Sequence, residues 1–292
     1  MTERTAADVF EEHRPVLTGV AYRMLGRFAD AEDVVQEAWL RWTNADRERV
    51  REPRAYLVRT TSRLAIDRLR QVRSRREAYV GEWLPEPLAT DRPGDAADAE
   101  ERVLLAENIS LALLLLMETL SPLERAVFVL REAFGYPYAE IAAILDRAEP
   151  AVRQLAGRAR RHIEAGERRF DTDPAVGAEI TQRFLAACTG GRLDALMALL
   201  APDVILIGDG GGVQKSPLRI LETASNVARF LLGIAPNMPP APEVTLREVN
   251  GAPAILLTTR GRPHTVVSLE TVDGRITRVY VMTNPEKLTG VV

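Results

Sequence analysis

The stretch that most constrains this chain covers residues 120–163, LSPLERAVFVLREAFGYPYAEIAAILDRAEPAVRQLAGRARRHI. It carries its own helix boundaries. Ser121, Pro122 and Glu124 supply the N-cap, the first helical residue and the acid of a capping box. Gly135 and Pro137 end that helix and begin the next. Ile141, Ala142, Ile144 and Leu145 then share an apolar face. Asp146-Arg147-Ala148 make a short turn, and a last helix begins near Glu149. There Val152, Leu155, Ala159 and Ile163 recur at helical spacing and point inward, while Arg153, Gln154, Gly157, Arg158 and Arg161 take the other side. Two short helices joined by a tight turn, the second turning Arg and Gln outward, follow the helix-turn-helix plan for the DNA major groove. Arg bonds guanine edges in bidentate fashion and Gln does so to adenine. A solvated hairpin with an Arg-rich face is the plainer alternative, and the spacing favours DNA.

The residues before this stretch also read as helix. Pro15 is expected to open a helix ending near Gly26. Asp30 caps the next, with Asp33 at its third position. Val34, Val35, Ala38 and Leu40 should turn inward, against Glu32, Asp33, Gln36 and Glu37. An acidic helix start also compensates the helix dipole, which is the plainer account of those carboxylates. Pro53 opens a long helix whose apolar side is Leu57, Leu64, Ile66 and Leu69. Its cationic side is Arg59, Arg63, Arg68, Arg70, Arg73, Arg75 and Arg76, and few neighbouring acids offset it, so phosphate contact is expected.

Composition sets limits. The net charge is −3 over 292 residues, so any DNA work falls to local clusters. Lys occurs only at 215 and 287, and an Arg bias fits a GC-rich genome as well as phosphate binding. The single Cys188 excludes an intrachain disulfide, suits a reducing cytosol and, within FLAACTGG, reads as a core residue. The charged N-terminus is not followed by an apolar run, and the longest apolar block, residues 111–116, is too short to span a bilayer. A cytoplasmic protein without a membrane anchor is expected.

DAEDVVQEAWLRW, PRAYLVRTTSRLAIDRLR and the helix-turn-helix, in that order over residues 6–165, resemble an extracytoplasmic-function (ECF) sigma factor of bacterial RNA polymerase. The resemblance implies that Asp30, Glu32, Asp33, Gln36 and Glu37 dock on core polymerase. It implies that the helix bearing Tyr56, Arg59, Arg63, Arg68 and Arg70 melts and reads the −10 element of promoter DNA. It also implies that Arg153, Gln154, Arg158 and Arg161 read the −35 element. Many such factors carry Asn where Arg63 stands, and a Trp near Tyr56, so the −10 base preference departs from theirs.

A linker rich in Pro, Ala and Asp follows, with Trp83-Leu84-Pro85-Glu86-Pro87 inside it. A Trp and a Leu in polar surroundings need something to pack on; the tail over Asn284–Leu288 is the expected partner, and the end of the preceding helix is the plainer alternative. Beyond residue 174 the Arg clusters cease. Helices are expected over about 175–189, 194–200 and 223–232, and strands over 204–208, 243–249, 254–260, 265–271 and 275–282, with Asn250-Gly251 and Asp273-Gly274 as hairpin turns. Helices followed by an antiparallel curved sheet describe an α+β cone. It resembles the SnoaL-like branch of the nuclear-transport-factor-2 superfamily.

That superfamily contains enzymes with a carboxylate base, for which Asp209, His264 and Tyr280 are the candidates here. Asp209 precedes three glycines, where a turn Asp capping backbone amides is the common case. No second carboxylate lies close in sequence, so no catalytic residue, cofactor or metal is expected. A sigma factor with a SnoaL-like extension is a recognisable type, with signatures WLPEP, DGGGK and NPDKL. This chain has Trp83–Pro87, then Asp209, Gly210, Gly211 and Gly212 followed by Val213 in place of Lys, then Asn284, Pro285, Glu286, Lys287 and Leu288. Val213 removes a cation beside the glycine turn and weakens an ion-pair role there. The type implies regulation of the sigma core by the extension. The expected organisation is multidomain: two all-α sigma domains, 1–78 (region 2) and 106–170 (region 4), joined by a linker over 79–105, then a cone over 171–292. Core polymerase and promoter DNA are the expected partners, with a small ligand in the cone as a further expectation. A one-component regulator sensing a small molecule, and an enzyme with a DNA-binding appendage, remain the alternatives.

Overall fold

The computed structural model describes residues 5–76, 79–91, 110–166, 174–234 and 242–291. The boundaries expected at 78, 105 and 170, the linker beyond Asp91, and the side chains of Arg75 and Arg76 lie outside the described residues. The chain forms two compact units, Met1–Glu77 with Leu113–Gly166, and Ala78–Ala112 with Glu167–Val292.

The first unit is all helix. Helix α1 (Ala6–Leu25) is capped by Thr5, whose side chain accepts from the Asp8 amide, and it ends on Gly26 at φ 69°. Pro15 lies inside this helix and does not open it. The Thr5/Asp8 capping box upstream and the burial of Phe10 and Leu17 on either side of the proline outweigh its missing N–H. Helix α2 (Phe28–Thr43) has Arg27 at its N-cap with no side-chain cap, so Asp30 does not cap it. Its buried stripe is Val34, Val35, Ala38 and Trp42; Leu40, expected inward, is 54% exposed. Four residues on from Ala38, Trp42 takes the core position and donates its indole N–H to the Ala6 carbonyl at 2.9 Å. Helix α3 (Pro53–Arg76) buries Leu57, Leu64, Ile66 and Leu69 as expected and packs on α1 and α2.

Helix α4 (Leu111–Glu118) leads to α5 (Pro122–Phe128), which has the expected Ser121/Glu124 capping box and runs on through a π-helical turn, Val129–Ala133. Helix α6 (Tyr138–Leu145) buries Ile141, Ala142, Ile144 and Leu145 and ends on Asp146 at φ 56°. Helix α7 (Glu149–Gly166) buries Val152, Leu155, Ala159 and Ile163 against the rest of the hairpin. Helices α6 and α7 are the helix-turn-helix.

The second unit is α+β. Its elements are α8 (Pro174–Thr189), α9 (Leu193–Leu199), β1 (Leu200–Asp209), β2 (Leu221–Glu222), α10 (Ala224–Ile234), β3 (Glu243–Val249), β4 (Ala252–Thr259), β5 (Arg262–Val272) and β6 (Arg275–Met282). The sheet order is β2-β1-β6-β5-β4-β3. The expected all-antiparallel sheet is corrected at one place: β1 and β6 pair parallel. They lie far apart in the chain, so no hairpin forces them antiparallel. Phe184, Leu196, Val227 and Leu231 of the helices pack against Leu206, Ile255, Val267, Val279 and Val281 on one sheet face. Strand alternation sends Val266, Ser268, Tyr280 and Met282 to the other face.

Candidate functional site

The second unit holds the linker along residues 79–91. The centre of this clasp is Asp209, at the end of β1 and 0% exposed. Its Oδ1 accepts from the Tyr79 hydroxyl at 2.5 Å and the Gly211 amide at 3.1 Å. Its Oδ2 accepts from the Leu84 amide at 2.9 Å and from Lys287 Nζ at 2.6 Å. Four donors thus fill the four lone-pair positions of one buried carboxylate. Lys287, 2% exposed, also donates to the Leu84 carbonyl at 2.7 Å, so a single linker residue is held at both its N–H and its C=O. Nζ of Lys287 stands 4.1 Å from the Trp83 ring centroid and 5.1 Å from that of Tyr79, an aromatic cage for the ammonium.

Local chain chemistry explains the placement. Asn284 caps a 3₁₀ turn, Pro285–Lys287, accepting from the Glu286 amide, and that turn leaves Pro285 and Glu286 outside while it buries Lys287 and Leu288. Asn284 Nδ2 donates to the Tyr79 hydroxyl at 2.8 Å. Gly211 sits at φ 62°, and a Cβ there would lie 2.6 Å from the Asn284 side chain, so the glycine turn admits both the left-handed backbone and the tail. Gly210 is buried in the same turn and Gly212 lies beside Val80. Burial, then the bond to Asp209, pushes the Tyr79 phenol above its ordinary range, so it stays a donor.

Further along, Leu84, Pro85 and Pro87 cover a small cleft over Val266, Tyr280 and Met282 on the sheet face away from the helices. Glu86 accepts from the Thr289 hydroxyl at 3.2 Å. The linker then pairs as a strand would. Asn250 Oδ1 accepts from the Leu88 amide at 3.1 Å while the Asn250 amide donates to the Leu88 carbonyl at 2.8 Å. Ala89 N–H donates to the Gly290 carbonyl, Thr90 N–H to the Glu248 carbonyl, and Asp91 pairs with Arg247 at 2.8 Å.

Trp83 lies over the tail's lysine. One sequence expectation is corrected here. The ion-pair role at Asp209 survives the loss of a cation at Val213, which is 73% exposed, because Lys287 supplies the charge from 78 residues away. Tyr79, Asn250, Thr90, Asp91 and Arg247 were missed. Asn250 carried a signal, an Asn-Gly hairpin turn, but its second use shows only once the linker lies beside it. Among the residues weighed as bases, Tyr280 does have a carboxylate partner: its hydroxyl donates to Glu270, which also accepts from Arg278 at 3.0 Å. Burial, then Glu270, raises the phenol far above its ordinary range. His264 is half-buried beside Thr265.

In the first unit the acids and arginines meet one another. Asp30, buried, and Asp33 both accept from Arg68, at 2.7 and 3.1 Å. Glu37 pairs with Arg41 one turn on, while Glu32 and Gln36 are exposed. Arg70 pairs with Asp67 and Arg59 is exposed. The cationic face of α3 is therefore more compensated than its sequence suggests. The Tyr56 ring lies tilted at 49° against Trp42, with the centroids 5.7 Å apart. On α7, Gln154 and Arg161 are exposed, and Arg153 pairs with Glu149 and lies over the Tyr138 ring. Arg158 turns instead to Glu124 on α5, at 2.9 Å. Five residues is about 140° around a helix, which takes Arg158 off the face of Arg153.

Residues 9–76 match the family Sigma-70 region 2, and residues 110–163 match Sigma-70, region 4. The chain is 39% identical to the ECF RNA polymerase sigma factor SigJ of Mycobacterium tuberculosis, across 96% of this chain and 92% of that protein. It is 34% identical to the probable ECF RNA polymerase sigma factor SigI of the same species, across 94% and 92%. The crystal structure of the Mycobacterium tuberculosis sigma factor SigJ is similar with a TM-score of 0.76 at 37% identity, covering 96% of this chain and 97% of that one. The two sigma regions in order, the helix-turn-helix and relatives matched over nearly their whole length agree: this chain belongs to the ECF sigma factors, the subunits that bind core RNA polymerase and direct initiation at particular promoters.

Proposed function

We propose that the α+β unit regulates this sigma factor in cis by gripping the linker between its two sigma regions, and that it performs no chemistry of its own. The observation that carries this reading is the buried Asp209–Lys287 pair closing on both backbone groups of Leu84. The helix-facing side of the sheet is filled by Phe184, Leu196 and Val227, which favours the linker over a small ligand as the regulatory occupant. The working division is region 2 over 1–78, linker over 79–105, region 4 over 106–170 and regulatory unit over 171–292, acting in the cytoplasm with polymerase.

Within the sigma core, the exposure of Arg153, Gln154 and Arg161 supports −35 contact, and the Glu124 pair supports a bracing role for Arg158. Tyr56, Arg59, Arg63, Arg68 and Arg70 are proposed for the −10 element. Glu32, Asp33, Gln36 and Glu37 are proposed for polymerase contact, and the burial of Asp30 under Arg68 supports a part in shaping that surface. Run-off transcription with core polymerase tests the regulation. Deleting residues 284–292 is expected to raise output at a target promoter, and Trp83→Ala to mimic it. Trp83 emission, with Trp39 and Trp42 replaced by Phe, should change on tail removal. Unchanged emission together with unchanged transcription refutes the regulatory reading.

A further inference from the structure

Three tight hairpin turns in the second unit share one backbone, and one of them departs from the residue chemistry of the others. At Asn250-Gly251, Arg260-Gly261 and Asp273-Gly274, φ is 51°, 53° and 51° at the first residue and 72°, 70° and 73° at the glycine. A two-residue turn with both φ values positive favours Asn or Asp at its first position, because a short polar side chain tolerates the left-handed region. Asn250 and Asp273 follow that rule. Arg260 does not, and its long side chain gains nothing locally from the conformation. The hairpin it closes also projects. Met282, the last residue of β6, pairs with Val266, and Glu243, the first of β3, pairs with Thr258, so β4 and β5 run past the described strands on both sides. Arg262, where β5 begins, stands about 13 Å along the strand from Val266. His264 is the extra residue of a bulge there, since Leu257 pairs with Thr265 and Thr258 with Pro263. A bulge bends and twists the ribbon just before its tip.

Arg260 and Arg262 are both exposed at this tip. Among the described residues neither guanidinium meets a carboxylate. The acid nearest in register, Glu243, accepts from the Thr258 hydroxyl at 3.4 Å. In the first unit, by contrast, Arg68, Arg70, Arg153 and Arg158 all have acid partners. A guanidinium forks onto the oxygens of a phosphate, in a geometry that Lys cannot match. Thr259, Gly261 and Pro263, which flank the two arginines, offer no large apolar side chain to anchor a protein partner. We propose that this tip is a further DNA-contacting element, in which Arg260 and Arg262 bond backbone phosphates of the promoter duplex that the sigma regions read. Phosphate bonds carry no sequence information and supply affinity. Once the sigma regions are on the promoter, the tip meets the same duplex at the high effective concentration of a tethered group. The contact draws on promoter binding by the sigma regions and is independent of the linker clasp.

Salt dependence tests it. Arg260→Asn gives the turn the kind of residue that the other two hairpins carry, so the fold should be kept or strengthened. Arg262→Gln removes the second charge. The affinity of holoenzyme, full chain with core polymerase, is measured for a promoter duplex that it transcribes, across salt concentrations. The double variant should bind more weakly at low salt, with a slope of log affinity against log salt shallower by about two. The advantage of the wild type should therefore shrink roughly tenfold between about 50 and about 200 mM salt. A control that removes two other exposed arginines of the same unit, Arg192→Gln with Arg229→Gln, should keep the wild-type slope. A wild-type slope in the Arg260→Asn, Arg262→Gln chain overturns the proposal. So does an equal change in the control, which would assign the effect to net charge. Weaker binding of the variant to core polymerase without DNA, at an unchanged DNA slope, would make the tip a polymerase contact and overturn it as well.

Discussion

The two units use charge in opposite ways. The helical unit spends many arginines on half-exposed pairs, several of them one helical turn apart, such as Arg70–Asp67 and Arg153–Glu149. The α+β unit buries one of the chain's two lysines against one carboxylate, with side-chain exposures of 2% and 0%. Exposed pairs are worth little individually, and each can be lost or exchanged for a phosphate. A buried pair contributes little net stability over an apolar isostere, but removing one partner strands a charge. The first unit is therefore suited to giving up contacts when DNA or polymerase arrives, and the second to holding one register or releasing it.

The largest effect should come from breaking the second pattern. Lys287→Met keeps the side-chain length and leaves Asp209 uncompensated, so it is expected to cost the second unit about 3–5 kcal/mol. Urea unfolding followed by Trp83 emission measures it. Adding Asp209→Asn should recover much of the loss, because the stranded charge is gone. Arg70→Met, its counterpart in the first unit, should stay within about 0.5 kcal/mol. Equal costs for the two single variants would erase the contrast.

A smaller effect is expected at the far end of the clasp. Asn250 holds Leu88 at both backbone groups with φ at 51°. Asn250→Ala loses the Oδ1 bond and strains the left-handed backbone, at about 1–3 kcal/mol. Asn250→Gly loses only the bond and should cost less. Amide exchange at Leu88, Ala89 and Thr90 should speed up in that order of variants; equal rates in wild type and Asn250→Ala would mean that the sheet edge holds the linker without Asn250.

These two sites also show what the sequence could and could not reveal. The capping box at Ser121/Glu124, the face of Ile141 to Leu145 and the stripe from Val152 to Ile163 were legible because helix periodicity is local. The strands were legible through alternation and Asn-Gly or Asp-Gly turns, apart from β2, which has only two residues. Leu40 was misplaced because a helix carries more apolar residues than its buried stripe needs, and Trp42 won the place. The signatures at Trp83–Pro87, Asp209–Gly212 and residues 284–288 were legible as three motifs, and a contact of the tail with the linker was expected, but the place of Asp209 between them was not. Lys287 meets Asp209 across 78 residues, and no local rule pairs them. The Glu124 pair of Arg158 was not legible, because an outward phase on an isolated helix does not show that α5 lies beside it.

Arg158 supplies the next comparison, inside the recognition helix itself. Arg158→Ala should lower the stability of the first unit by about 1 kcal/mol through Glu124 and leave base discrimination at the −35 element unchanged. Arg153→Ala should barely alter stability and cost roughly 1–3 kcal/mol of promoter affinity if its fork reads a base edge. Paired thermal melts and promoter titrations with holoenzyme at two salt concentrations separate them. A loss of base discrimination in Arg158→Ala at unchanged stability would return that residue to the DNA face.

The smallest effect is a pH contrast, with opposite signs in the two units. In the first, burial pushes the Glu124 carboxyl up, but the Ser121 hydroxyl and amide and then Arg158 outweigh it and leave it below its ordinary 4.5. The folded state therefore prefers the ionised form. Its contribution is present above about pH 4.5 and is lost as pH falls through the lowered value. In the second, burial and then Asp209 raise the Tyr79 phenol above its ordinary 10.0, so the docked linker prefers the protonated form. That contribution is present below pH 10.0 and declines as pH rises beyond it, because the free linker ionises first. Acid should loosen the helix-turn-helix cap while the linker stays docked, and alkali should loosen the linker while the cap holds. Trp83 emission should respond on the alkaline side alone, and Tyr79→Phe, which has no proton to lose, should abolish that response. Helicity should respond on the acid side, less so in Glu124→Gln. An alkaline change in emission that persists in Tyr79→Phe would place the titrating group elsewhere and detach the phenol from the clasp.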